Sequence, residues 1–315
     1  MHRITGRWRL GLALALVTAI CWGVLPIALK LMLEAMDVYT ITWYRFLVAS
    51  FVLGFILAGL RRLPRIDRLG RESRWLLPVA LLGLVGNYIF YLLALDYTTP
   101  GITQVVSQLA PACLLLGGLI IFREPFAPRQ WLGFAILIGG MLLFFNHRFA
   151  EFGARGGRLG IGVLLVVLAS VVWSAYALAQ KQLLRSMSSQ QVLWLLYVGA
   201  AILLLPAATP GSLRDLSIPQ LWLLLFCSAN TLIAYGALAE ALEHWEVSRV
   251  SAVLALAPLF TLAGMYLIER IAPGLLEPER LNALSMVGAL LVVAGSALCA
   301  LGAQQSKGRP EPPCV

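Results

Sequence analysis

The chain reads as an all-α polytopic membrane protein, with ten transmembrane helices arranged as two inverted five-helix repeats. Three observations predict this. The 315 residues are 60% apolar and 12% charged, with a mean hydropathy of +0.85, whereas a soluble domain carries about 25% charged residues. Ten segments are long and apolar enough to cross a hydrocarbon core, which takes about 20 residues per helix. Residues also recur: Trp22, Lys30 and Trp43 return as Trp173, Lys181 and Trp194, each 151 positions on. An odd number of spans per copy turns the second copy upside down. Inverted copies give two mirror-related conformations similar energies, as alternating access requires.

The segments follow in order. Residues 1–9 form a basic arm with Arg3, Arg7 and Arg9. Span one, 10–33, follows those arginines as a signal peptide would, but it is too long for an h-region and other spans follow, so it is an uncleaved helix. Span two is 37–60. Six arginines over 61–74 come next, marking a cytoplasmic loop and also suiting anionic headgroups. Spans three, four and five are 75–95, 100–122 and 129–146, completing a first repeat over 10–150. The Gly-rich, charged stretch Asn146–Arg158 joins the halves. Spans six to ten are 160–182, 190–208, 218–240, 247–268 and 281–303, a second repeat over 151–303. Residues 304–315, with Pro310, Pro312 and Pro313, predict a disordered cytoplasmic tail.

Some residues mark local structure. Pro111 and Pro258 lie near the middle of spans four and nine, where each removes a backbone hydrogen bond. Lipid cannot replace that bond, so such breaks face protein or a wet cavity. Pro26 is a third helix-bending position, one turn beyond Trp22. Gly133, Gly139, Gly140, Gly288 and Gly295 predict close helix packing by spans five and ten, within the chain or in a homodimer.

The net charge is +9, but its distribution argues against nucleic acid as a partner. With the N-terminus inside, sixteen Lys/Arg fall on the inner side and seven on the outer. This bias predicts an integral plasma (inner) membrane protein with both termini cytoplasmic. Four of the five cysteines sit in apolar spans without metal-ligand spacing, so neither disulfides nor a metal is expected, and no cofactor. No GxxxxGK[ST], HExxH or GxSxG motif occurs. ATP hydrolysis at a P-loop and the commoner hydrolase chemistries therefore have no basis here.

Beyond these physical readings, the strings Cys21-Trp22-Gly23-Val24-Leu25-Pro26 with Lys30, Arg45-Phe46, Ala94-Leu95-Asp96-Tyr97-Thr98 with Gly101, Pro111, Glu124 and Gln130-Trp131-Leu132-Gly133 resemble the EamA-type branch of the drug/metabolite transporter superfamily. The second half repeats the pattern more loosely through Pro258, Glu269-Arg270, Gly288 and Gly295. The resemblance covers about 10–303. It implies ten helices in two inverted repeats, a central cavity, and secondary transport, often export, of small metabolites. Leu196 departs from the repeat, standing where symmetry with Arg45 calls for an arginine.

Polar groups inside a bilayer are expensive, so each needs a reason. Arg45 lies well inside span two. It is either a structural cation, paired to carbonyls or to Asp96, Asp37 or Glu34, or the holder of an anionic group of a solute. Trp22 and Trp173 lie mid-span at matched places, as packed core or as aromatic walls of a site. Asn87 and Tyr91 share a face of span three, Gln104 and Gln108 a face of span four, and Asn230 lies deep in span eight. These groups either bond helices together or bind a polar solute. Lys30 and Lys181 end spans one and six, as snorkelling cations or as gates at opposite mouths. Glu240 is the candidate coupling group, set against a role as a solvated helix-end charge. Trp43 and Trp194 read as interfacial belt residues, and Glu124 and Glu269 as structural loop residues.

The expected function is secondary transport of a small polar, amino-acid-like solute by alternating access, in the direction of export. A multidrug exporter of cationic compounds and a non-transporting sensor or assembly partner are the rivals. An enzyme is disfavoured because no catalytic constellation is present.

Overall fold

The structure, a computed structural model, describes residues 7–64, 70–122, 127–153 and 157–302. Most of the basic arm, Arg65, Arg68, Glu124 and the 304–315 tail lie outside the described residues. The described residues form helices and connecting turns, with no strand among them. The helices are α1 (Trp8–Leu33), α2 (Val38–Gly59), α3 (Arg71–Tyr97), α4 (Pro100–Val106), α5 (Leu109–Phe122), α6 (Pro128–Phe144) and α7 (Phe149–Gly153). They continue as α8 (Arg158–Leu183), α9 (Ser189–Leu204), α10 (Ile218–His244), α11 (Val247–Leu254), α12 (Ala257–Ile271) and α13 (Ala283–Gly302).

Eight helical stretches are long and apolar enough to cross a membrane, counting α4–α5 and α11–α12 as one each; α6 and α9 are apolar but shorter. The outside of the bundle is greasy: Phe51, Phe55, Trp75, Ile120 and Ile202 are all exposed. Large apolar side chains so exposed are at home where lipid, not water, is the solvent.

Spans four and nine are not single helices. The first breaks at Ser107–Gln108 and the second at Ala255–Leu256. Pro111 and Pro258 fall in the first turns of α5 and α12, where a missing N–H costs nothing. At each break the backbone tightens: Gln108 N bonds Val105 O and Leu256 N bonds Val253 O, each three residues back. By contrast, α1 runs unbroken through Pro26, and α3 through Pro78.

Packing pairs the helices across the two halves: α1 with α10, α2 with α9, α3 with α8, and α6 with α13. Two tryptophans lock α2 to α9 reciprocally. Trp43 Nε1 donates to Ala201 O at 2.9 Å, and Trp194 Nε1 donates to Ser50 O at 3.1 Å. Ser50 and Ala201 are 151 residues apart, as the tryptophans are. Trp43 is buried, so the interfacial-belt reading is corrected: its indole N–H needs an acceptor inside the bundle and finds a carbonyl there.

The α6–α13 seam works the same way. A Cβ on Gly140 would lie 2.9 Å from Gly288 O, and one on Gly288 2.7 Å from Gly140 O. These glycines, with Gly133 and Gly295, let two backbones meet inside one chain, so their faces are not open to a second copy; Gly139 has open space around it and is not part of the seam.

Candidate functional site

The end of the bundle where α1 begins is called the near face, and the end where α1 finishes the far face. At the near face Gly11 lies against Trp245. At the far face Lys30 reaches the end of α3.

Between the halves lies a cavity of about 990 Å³, the upper end of the usual range for ligand sites. Its depth is lined by Trp22, Arg45, Asn87, Tyr91, Trp173 and Asn230, with Gln104, Gln108 and Pro111 at the α4–α5 break. Towards the near face its wall includes Lys181, Glu246 and Ser251. The break is what exposes polar groups to this space. Ser107 turns back onto its own helix and bonds Gln104 O at 2.8 Å, while both glutamine side chains face the cavity.

Several wall residues carry bonds that fix them. Asn87 Nδ2 donates to Ala169 O at 3.1 Å, joining α3 to α8. Asn230 Nδ2 donates to Cys21 O at 2.8 Å, joining α10 to α1. Tyr91 OH donates to Gln104 Oε1 at 2.7 Å. Trp22 meets Tyr235 edge-on, ring centroids 5.7 Å apart. Interhelical bonding and cavity lining thus coexist in the same side chains. Arg45 is 3% exposed. Its Nε and Nη2 donate to Thr231 Oγ1 at 3.3 and 3.2 Å, and its guanidinium carbon lies 4.6 Å from the centre of the Tyr88 ring. Among the described residues no carboxylate is within ion-pair distance of it. The expected pairing with Asp96, Asp37 or Glu34 is therefore absent: Asp37 caps α2 through Tyr39 N and Thr40 N.

The remaining candidates sit elsewhere. Lys30 is at the far face, where Nζ donates to Leu95 O, Asp96 O and Thr98 O at 2.7, 3.2 and 3.0 Å. Glu240 is half exposed and bonds His244 at 3.1 Å, one turn along α10, outside the cavity wall. Pro26 and Pro258 do not line the cavity.

Sequence reasoning missed Tyr88, Thr231 and Glu279. The first two neighbour Asn87 and Asn230, so a search widened by one residue finds them. Glu279 lies in the α12–α13 connection, and its Oε1 accepts from Gly101 N at 2.6 Å. It stands nine residues before Gly288, as Glu124 stands nine before Gly133. Glu279 is therefore the counterpart of Glu124. Glu269, the expected counterpart, is an exposed residue in the last turns of α12. Burial pushes the Glu279 carboxyl above the usual carboxylate range, against the opposing pull of the Gly101 amide and the Arg148 charge.

A bundle of apolar helices around a largely apolar cavity with a few polar groups on its walls is the architecture of a membrane transport protein. The chain belongs to the EamA-like transporter family, whose profile matches it twice, over residues 9–146 and 160–301. It is 44% identical over 295 residues to an uncharacterized inner membrane transporter of Escherichia coli, YhbE, covering 93% of this chain and 92% of that one. It is 38% identical over 293 residues to an uncharacterized transporter of Haemophilus influenzae, covering 93% and 95%. A probable amino-acid metabolite efflux pump of Escherichia coli is 23% identical over 296 residues, covering 90% and 92%. One crystal structure shares the fold with a TM-score of 0.63 at 19% identity, over 94% of this chain and 98% of that one.

Proposed function

We propose that this chain is a secondary transporter that exports a small polar, amino-acid-like metabolite by alternating access. Ten crossings in two inverted repeats would carry the motion, with both termini cytoplasmic and the near face inward. The positive-inside bias supports that orientation. The name of the efflux-pump relative is consistent with export.

The observation that carries the reading is an asymmetry laid over a repeat. Helix α4 packs on α12 and closes the far face. The repeat-related pair, α5 and α11, has no comparable packing among the described residues, and the cavity reaches the near face beside α11. One face closed and its counterpart open is what a single state of a rocking pair of repeats looks like. Lys30 then gates the far face. Lys181, its repeat counterpart, gates the near face in the opposite state.

Purified protein in sealed liposomes should move a labelled solute without ATP. Trp22→Ala and Asn230→Ala should each reduce flux at least about tenfold, the order of effect of losing one well-formed polar or aromatic contact, while the protein stays folded by circular dichroism. Absence of flux across a broad metabolite panel would count against the proposal, and unchanged flux in a variant would remove its residue from the site.

A further inference from the structure

We infer that Arg45 holds the carboxylate of the transported solute, with Asn230 taking its ammonium, so that the solute is an α-amino acid or a close analogue. This rests on the transport reading above and narrows its substrate.

A guanidinium presents five N–H donors and no acceptor. Two of Arg45's nitrogens share a single hydroxyl, that of Thr231, which in turn donates to Cys227 O at 3.2 Å. The Tyr88 ring takes part of the positive charge on its face. Neither partner is an anion, and no carboxylate pairs with Arg45 among the described residues. A buried cation held without a counter-ion is costly and is kept where something else supplies the anion. The remaining donors belong to a residue of the cavity wall, so the anion comes from the cavity. The cation is also one-sided: its repeat counterpart is Leu196, an apolar residue buried in the α2–α9 core, so the repeat does not supply a second, matching guanidinium.

Asn230 supplies the complementary pole. Its one bonded neighbour is the Cys21 carbonyl, which only an amide nitrogen can satisfy, and this orients the side chain. Oδ1 is then left buried with no partner, on a residue that is 2% exposed and lines the same cavity. It is an acceptor waiting for a donor. Asn230 and Arg45 line the same cavity, so the empty acceptor and the cation without an anion are open to one solute. A solute carrying both a carboxylate and an ammonium supplies a partner to each. A cationic drug or an amine would leave Arg45 unpaired and add a second positive charge to the site.

The test is ligand-induced thermal stabilisation of the purified full-length protein against the twenty L-amino acids. The amino acid that stabilises most is then compared with its α-carboxamide and with its decarboxylated amine. In the wild type both analogues should need at least about tenfold higher concentration for the same shift, since bonds to charged groups are the strong ones. Arg45→Gln should lose the preference for the acid over the carboxamide. Arg45→Lys, which keeps the charge and loses the fork, should retain the preference at weaker affinity and serves if Arg45→Gln does not fold. Asn230→Asp should tighten the amino acid relative to its N-acetyl derivative. No stabilisation by any amino acid, equal response to acid and carboxamide, an unchanged preference in Arg45→Gln, or an unchanged affinity for the acid in Arg45→Lys would overturn the assignment. Flux of a solute without a carboxylate would overturn it too while leaving the transport reading intact.

Discussion

Glu279 and Gly101 meet where the second half of the chain touches the first, and the carboxyl group there is poised to respond to pH. The side chain is half-buried along its stem but enclosed at Oε2, and burial raises its pKa above the ordinary value of 4.5. A carboxyl group whose folded pKa is raised favours the protonated fold. Its stabilising contribution is complete below the unfolded pKa and is lost as pH rises through the folded one. Melting temperature should therefore fall as pH rises above the ordinary carboxylate range. Glu279→Gln should flatten that slope, melting above wild type at neutral pH and with it in acid. Parallel curves would dismiss the effect. Glu279 also shows what the sequence concealed. Pairing Glu124 with Glu269 matched letters across a connection whose length differs between the repeats, whereas counting back from the glycines of the following helix would have found it. Arg45, Trp22, Asn87 and Asn230 were legible because a polar or aromatic group at mid-bilayer is rare. Thr231 and Tyr88 were not, because threonine and tyrosine are ordinary in apolar helices until a neighbouring chain segment gives them a partner.

At the level of the helices, length and hydropathy placed nearly every element to within a few residues, since a bilayer demands a long apolar run for each crossing. Depth within the bundle was harder to read. Trp43 and Trp194 sit where a belt residue would, and only tertiary packing turns their indoles towards Ala201 and Ser50. Trp43→Phe removes one such bond and leaves a buried carbonyl short of a donor, a loss of about 1–2 kcal/mol in a membrane bundle. The glycine seam is less forgiving. Gly140 meets the backbone of α13 at Val292 N and Gly288 O, so nothing flexible can yield to a side chain there. Gly140→Leu should cost at least about 1–3 kcal/mol by overpacking and lower the melting temperature in detergent more than Gly139→Leu, a position with open space around it. Equal losses at the two glycines would mean that α6 and α13 do not meet as described.

On the scale of the whole molecule, the proposed alternating access makes a prediction about the lysines at the two faces of the bundle. Lys30 clasps the carbonyls of Leu95, Asp96 and Thr98 and holds α1 to the end of α3. The stretch Leu95–Pro111 repeats as Leu242–Pro258, with Ala110-Pro111 answered by Ala257-Pro258. The matching carbonyls for Lys181 are those of Leu242, Glu243 and Trp245. Closing the near face would bring that lysine to them as α5 swings onto α11, while the Lys30 bonds and the α4–α12 packing let go. In this proposal Lys30 favours the state closed at the far face and Lys181 the state closed at the near face, and a group that favours one of two states shifts their ratio by its differential energy. Lys30→Met should populate the form closed at the near face, and Lys181→Met the form open there. A cysteine introduced at Ser251, on the cavity wall near the near face, reports the difference through its rate of maleimide labelling from that side. Lys30→Met should slow labelling and Lys181→Met should speed it, each by a factor on the order of ten if about 1.4 kcal/mol of seal is lost. Both variants moving the rate in the same direction would mean that the lysines are not opposed gates, and the repeat would then be a relic of duplication with no part in the motion.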